Sequence, residues 1–215
     1  MTDKKYILFD LDGTLTDPFE GITKSFLYAL KSFGIEENQS NLKKIIGPPI
    51  KDAFIEYYGF DEEKASEAVL KYRERFSKTG IFENFLYDGI DDMLKALKSS
   101  GRVLILATSK PIEFADKILE HFKIKQYFDY LAGSSFSGER GTKTEVIRYA
   151  IEISGINDLS EAVMIGDRHH DIDGAKAVGI ESVGVLYGYG ELEELEKAGA
   201  DAIAQTVEGL KKLLL

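Results

Sequence analysis

Cysteine and tryptophan are absent from the 215 residues, and histidine occurs only three times. Without cysteine no disulfide can form, a composition consistent with a reducing cytosol. A zinc site would need more nitrogen or sulfur ligands than His121, His169 and His170 offer, so the two adjacent histidines read as solvated loop residues. No apolar run is long enough to span a bilayer, and Met1-Thr2-Asp3-Lys4-Lys5 leads into the first strand without a secretory apolar segment. These features predict a soluble, cytoplasmic protein with no membrane partner. Basic residues are also scarce, 27 against 37 acidic ones, and the resulting net charge of −10 argues against a nucleic acid polymer as partner. Internal repeats, low-complexity stretches and linkers are missing too.

What is present is enough apolar residue, 44% of the chain, to bury one α/β core with a small insertion. Strand-like runs near residues 5–10, 102–107, 130–133, 162–166 and 182–186, with a weaker one at 201–204, alternate with helical stretches. This alternation predicts a Rossmann-like parallel sheet with helices on both faces and ligands at the carboxyl ends of the strands.

Four of those strand ends carry polar chemistry. Tyr6-Ile7-Leu8-Phe9 runs into Asp10-Leu11-Asp12-Gly13-Thr14, and two carboxylates at the end of a buried strand demand a counter-charge. A hard divalent cation is the natural one, since Mg²⁺ is held by one or two carboxylates with waters and phosphate. Calcium loops also begin Asp-x-Asp, but their glycine is sixth and they follow a helix, whereas Gly13 is fourth from Asp10 and follows a strand. The second run, Val103 to Ala107, stops at Thr108, Ser109 and Lys110 before Pro111, which suits the first turn of a helix. A hydroxyl and backbone N–H groups there make an anion site, with Ser109 as a plain helix cap the alternative.

The third signal is Thr142-Lys143-Thr144-Glu145, a capping box ahead of a helix carrying Val146, Ile147, Ala150 and Ile151 on its apolar positions. Lys143 would sit in the first turn, where a cation opposes the helix dipole unless an anion is nearby; a surface position is the alternative. The fourth is Ala162 to Gly166 followed by Asp167 and, four residues on, Asp171. The first acid can reach a metal directly while the second holds its waters or orients neighbours. The Glu191–Lys197 charge run reads as a solvated helix face.

Residues 16–87 interrupt the alternation with helical periodicity alone, so the chain divides into a core of 1–15 with 88–215 and an all-helical insertion of 16–87. Asp17 and Pro18 read as N-cap and first turn of a helix bearing Ile22, Phe26, Leu30 and Phe33; further helices are expected over 49–58 and 61–77. Gly47-Pro48-Pro49 is either a stiff loop facing the site or a helix connector.

In their order along the chain, these four segments resemble the haloacid dehalogenase superfamily of phosphohydrolases. Within it, Asp10 to Asp17, Ile46-Gly47-Pro48-Pro49 and Thr108-Ser109-Lys110-Pro111 are most similar to the phosphoglycolate phosphatase group. The resemblance implies a helical cap at 16–87, Mg²⁺ as cofactor, and a small phosphorylated metabolite as partner of a monomer or homodimer. It implies Asp10 as nucleophile, Asp12 as general acid and base, Thr108 on the phosphoryl group and Lys143 as the neutralising cation. Gly13, Thr14, Ser109 and Lys110 would bind substrate, and Asp10, Asp12, Asp167 and Asp171 the metal. The expected reaction is hydrolysis of a phosphoglycolate-like monoester through an aspartyl-phosphate, with a 5′-nucleotidase as the alternative. A phosphomutase is disfavoured because the resembling mutases commonly carry Val or Ile where Thr14 stands. A regulatory phospho-acceptor is disfavoured because it needs neither Asp12 nor a helical insertion.

Overall fold

The computed structural model describes residues 3–137 and 139–215. In chain order its strands are β1 (Tyr6–Phe9), β2 (Thr16–Asp17), β3 (Phe85–Leu86), β4 (Val103–Pro111), β5 (Tyr130–Ser134), β6 (Ala162–Gly166), β7 (Glu181–Val185) and β8 (Ala202–Ala204). The helices are α1 (Phe19–Ser32), α2 (Ile50–Tyr58), α3 (Glu62–Phe76), α4 (Ile90–Ser99), α5 (Ile112–His121), α6 (Lys143–Ser154), α7 (His169–Val178), α8 (Leu192–Ala198) and α9 (Val207–Leu214). Two compact units result, Met1–Asp17 with Leu86–Leu215, and Pro18–Phe85. Among the described residues no helix is long and apolar enough to cross a membrane.

The first unit is the parallel α/β architecture that the alternation of apolar runs predicts. Six strands pair in the order β5-β4-β1-β6-β7-β8, every neighbour parallel. Near-continuous apolar strands suit such a sheet because helices cover it. Val146, Ile147 and Ala150 of α6 and Ala175 of α7 pack on Leu8, Ile105 and Met164 in one buried cluster. β1 sits between β4 and β6, with Phe9 level with both Leu106 and Ile165. The chain fills one side of β1 before crossing to the other, and in open sheets that reversal marks the crevice where ligands bind.

The second unit is helical, with a 3₁₀ segment at Gln39–Ile45 that sequence periodicity does not reveal. Its interior is aromatic: Phe26 stacks on Phe54 at 4.1 Å between ring centroids, and Phe33 meets Phe60 edge-on at 5.2 Å. Arg75 donates both guanidinium nitrogens to Glu83 at 2.7 and 2.9 Å, tying the end of α3 to the loop that follows. That fork geometry is the stronger form of ion pair.

Local expectations fail at two prolines. Pro18 itself is the N-cap of α1 and makes no side-chain cap; Asp17 instead lies in β2, which pairs with β3 as a two-stranded ribbon. Pro111 ends β4 rather than opening α5, whose first residue is Ile112. The residue before a proline is held out of the α region, so the strand runs on through Lys110.

Candidate active site

Asp10 and Asp167 leave neighbouring parallel strands at the same end, so their carboxylates converge. The Asp10 N–H donates to Ile165 O at 2.9 Å and continues the β1–β6 ladder to the edge of the site. Asp171 reaches the same point from the first turn of α7, accepting the Arg168 N–H at 3.2 Å. Asp10, Asp167 and Asp171 each present a carboxylate oxygen within 4.8 Å of the others, and all three are buried. Acids so close would repel one another in a site of low dielectric.

Lys143 answers part of that charge. As the first residue of α6, behind a complete Thr142–Glu145 capping box, it directs its ammonium inward and is only 7% exposed. Nζ lies 2.8 Å from Asp10 Oδ1, 2.8 Å from Asp171 Oδ1, and donates to Ala107 O at 3.1 Å. Burial alone would lower its pKa, but the charges of Asp10 and Asp171 outweigh burial and hold it above the ordinary lysine value. The ammonium therefore stays charged.

One cation cannot balance three carboxylates. Asp167 Oδ2 accepts the Tyr189 N–H at 2.8 Å, while its buried Oδ1 has no hydrogen-bond partner. A buried, unpaired carboxylate oxygen is costly unless a cation meets it. All the donors are hard oxygens, which suits Mg²⁺ and not a soft metal. Asp10, Asp167 and Asp171 could hold such an ion. Asp12 stands outside this group, because its Oδ2 pairs with Lys110 Nζ at 2.6 Å.

The excess charge has a measurable consequence. Burial pushes the Asp171 carboxyl up to about 6 against the pull of Lys143. Burial, then the charges of Asp171 and Asp10, raises Asp167 well above the usual carboxylate range. A group whose folded pKa exceeds its unfolded value favours the fold when protonated, and that stability is lost as pH rises through the folded value. Metal-free protein is therefore expected to gain melting temperature as pH falls from neutral through about 6. Saturating Mg²⁺ should remove the gain, as thermal melts with chelator and with metal will show.

The remaining candidates line the same strand ends. Gly13 adopts φ +85° in the turn after β1, and any Cβ there would overlap the Asp167 carboxylate. Thr14 is fully buried, its Oγ1 unpaired and its carbonyl accepting from the Tyr187 hydroxyl at 3.1 Å. Thr108 is buried near the end of β4 and its Oγ1 accepts the Lys110 N–H at 3.2 Å. Ser109 does not cap α5; its carbonyl accepts from Ser134 Oγ at 2.7 Å. Burial raises the Asp12 pKa, with Lys110 opposing.

Three further residues depart from their sequence reading. His169 and His170 open α7 rather than a loop, and His169 Nδ1 sits 3.0 Å from Asp173. Glu194, within the charge run expected to be only a solvated face, accepts from Arg168 Nε and the His169 N–H, each at 2.9 Å. Tyr189 and its flanking glycines escaped notice because their contribution is a backbone N–H and an absence of side chain. The Gly188-Tyr189-Gly190 triplet just after an apolar run was the available signal.

The sheet order, with three acids and a buried lysine gathered at one end of its strands, defines a doubly wound parallel α/β core with a charged site at the carboxyl ends. A model of the haloacid dehalogenase-like hydrolases matches residues 7–185, and the chain belongs to that family. A 5′-nucleotidase of Pseudomonas aeruginosa is 48% identical over 88% of this chain and 86% of its own. The tyrosine-protein kinase PtkA of Mycobacterium tuberculosis is 40% identical over 97% of this chain and 72% of its own. The crystal structure of a predicted phosphatase from Clostridium acetobutylicum superposes with a TM-score of 0.95 at 51% identity, covering 98% of this chain and 97% of that one.

Proposed function

We propose that the protein is a Mg²⁺-dependent phosphatase that hydrolyses small phosphate monoesters through a phosphorylated Asp10. The observation that carries this reading is the buried group of Asp10, Asp167 and Asp171, two of which pair with the buried Lys143. A doubly charged cation and the positive Lys143 together would offset the three acids, so that a phosphate meets no net repulsion there. When bound, the metal would supply charge neutralisation and alignment of the phosphoryl oxygens.

The chain's own groups supply the rest. Asp10 attacks phosphorus, the ester P–O bond breaks, and the leaving alkoxide takes a proton from Asp12. Burial favours the protonated carboxyl that this step needs. Water then attacks the phosphorus of the aspartyl-phosphate, Asp12 takes its proton, and inorganic phosphate departs with Asp10 restored. Splitting the displacement in two is how a carboxylate nucleophile assists an ester whose uncatalysed hydrolysis is among the slowest known. Lys143 stays on Asp10, and Thr108 with the turn at Gly13 and Thr14 receives the phosphoryl oxygens.

Asp12→Asn is expected to lose steady-state turnover of alkyl phosphates while still accumulating phosphorylated Asp10 from p-nitrophenyl phosphate, whose leaving group needs no proton. Acid-quench labelling reads the difference, and wild-type turnover of an alkyl ester by this variant would refute the acid/base role.

Among substrates we favour a nucleoside 5′-monophosphate over phosphoglycolate, because the relative named 5′-nucleotidase is 48% identical over most of the chain. A panel of nucleoside monophosphates, phosphoglycolate, sugar phosphates and pyrophosphate tests the preference by kcat/KM. Equal or better turnover of phosphoglycolate would reverse it. The kinase name of the 40%-identical relative supports a second reading, delivery of a phosphoryl group to a tyrosine hydroxyl. Label appearing on tyrosine after incubation with γ-labelled ATP would favour that reading over hydrolysis.

A further inference from the structure

The loop that follows β7, Leu186 to Gly190, has no role in the chemistry above, yet it touches the site at several points. The Tyr189 N–H donates to Asp167 Oδ2 at 2.8 Å. That bond satisfies Oδ2 and leaves Oδ1 as the buried, unpaired oxygen of a carboxylate that belongs to the three-acid group. The loop is itself fastened to the chain that leaves the nucleophile. Tyr187 Oη donates to Thr14 O at 3.1 Å, and Tyr189 Oη donates to Asp17 Oδ1. The Tyr187 ring packs edge-on against Tyr87 at 5.2 Å between centroids.

The glycines explain how the backbone comes so near. A Cβ on Gly190 would overlap Asp167 O, and one on Gly188 would fall 2.6 Å from Asp167 Oδ2 and overlap Gly13 O. Any side chain at either position would drive the loop off Asp167 and break the Tyr189 N–H contact.

We infer that Leu186–Gly190 is a positioning segment for the cation site: it holds the Asp167 carboxylate with Oδ1 turned to the metal and keys that orientation to the loop bearing Asp10. The inference rests on the reading of Asp10, Asp167 and Asp171 as a divalent-cation site. Groups that orient a metal ligand from behind are worth about tenfold or more in metal affinity. Tyr189 and Gly190 thus act through Asp167 and touch no substrate.

The test is Mg²⁺ binding by isothermal titration calorimetry, without substrate, on the wild type, Tyr189→Phe and Gly190→Ala, together with melting curves in chelator. The expected result is weaker Mg²⁺ binding, by about tenfold for Gly190→Ala and ~3-fold for Tyr189→Phe, whose hydroxyl acts one link further away. For Tyr189→Phe the melting temperature in chelator should stay near that of the wild type. Unchanged Mg²⁺ affinity in Tyr189→Phe, with or without a lower melting temperature, would reduce the loop to a structural role and overturn the inference, even should Gly190→Ala fail to fold. A wild type that binds no Mg²⁺ would overturn the cation site itself, an outcome the wild-type titration alone identifies.

Discussion

Asp10→Asn is expected to lower kcat at least about 10⁴-fold without unfolding the protein, because it removes the group that forms the covalent intermediate. The geometry makes the second half of that expectation as informative as the first. Asp10, Asp167 and Asp171 crowd three carboxylates together, and Lys143 pairs with two of them. Neutralising one of them relieves repulsion that burial intensifies, while Lys143 keeps Asp171 at 2.8 Å and the carbonyl of Ala107 at 3.1 Å. The melting temperature in chelator should therefore be no lower than that of the wild type. Loss of activity with an intact or raised melting temperature separates a chemical role from a structural one. Ordinary turnover by Asp10→Asn would remove the nucleophile from the mechanism, and ordinary turnover by wild type stripped of metal would remove the cation.

How much of this was legible beforehand depends on where each group's chemistry resides. Asp10, Thr108 and Asp167 could be read because each ends an apolar run, and a buried strand that stops at an acid or hydroxyl leaves a conspicuous polar residue in sequence. The Thr142–Glu145 capping box was equally plain, since both reciprocal hydrogen bonds follow from spacing. That box placed Lys143 in the first turn; its contact with Asp10 and Asp171 depends on the register between β1, β4 and β6 and could only be seen in three dimensions. Asp17 looked like a helix cap because its local neighbours favour one, and a partner 172 residues away overrode them. Asp12 stands two residues from Asp10 at the same strand end and so reads with the metal acids; the ion pair its carboxylate makes with Lys110, at 2.6 Å, depends on the pairing of β1 with β4 and is not legible from spacing along the chain. The loop at Gly188 and Gly190 was least visible, because close backbone approach leaves no side chain to read.

Lys143→Met tests the electrostatic heart of the site. Methionine keeps much of the length and apolar stem of lysine, so α6, its capping box and its packing on the sheet should persist. What disappears is the only cation paired with Asp10 and Asp171 among the described residues. Removing one partner of a buried ion pair leaves an uncompensated charge, a loss of about 3–5 kcal/mol. In chelator at neutral pH the variant should therefore melt well below the wild type. The deficit should shrink as pH falls toward about 6, because without the pull of Lys143 the Asp171 carboxyl takes up its proton above the wild-type value, and a protonated carboxyl no longer needs the ammonium. Mg²⁺ should recover part of the stability, since a cation at the acids replaces some of the missing charge. Activity should not recover with it: the ammonium also offsets charge that builds on the phosphoryl oxygens, and losing such a group costs about 10²–10³ in kcat. A variant that melts like the wild type in chelator would mean that the acids are balanced by something other than Lys143. A variant restored by Mg²⁺ to full turnover would confine the lysine to folding and leave phosphoryl transfer to the metal and Asp10.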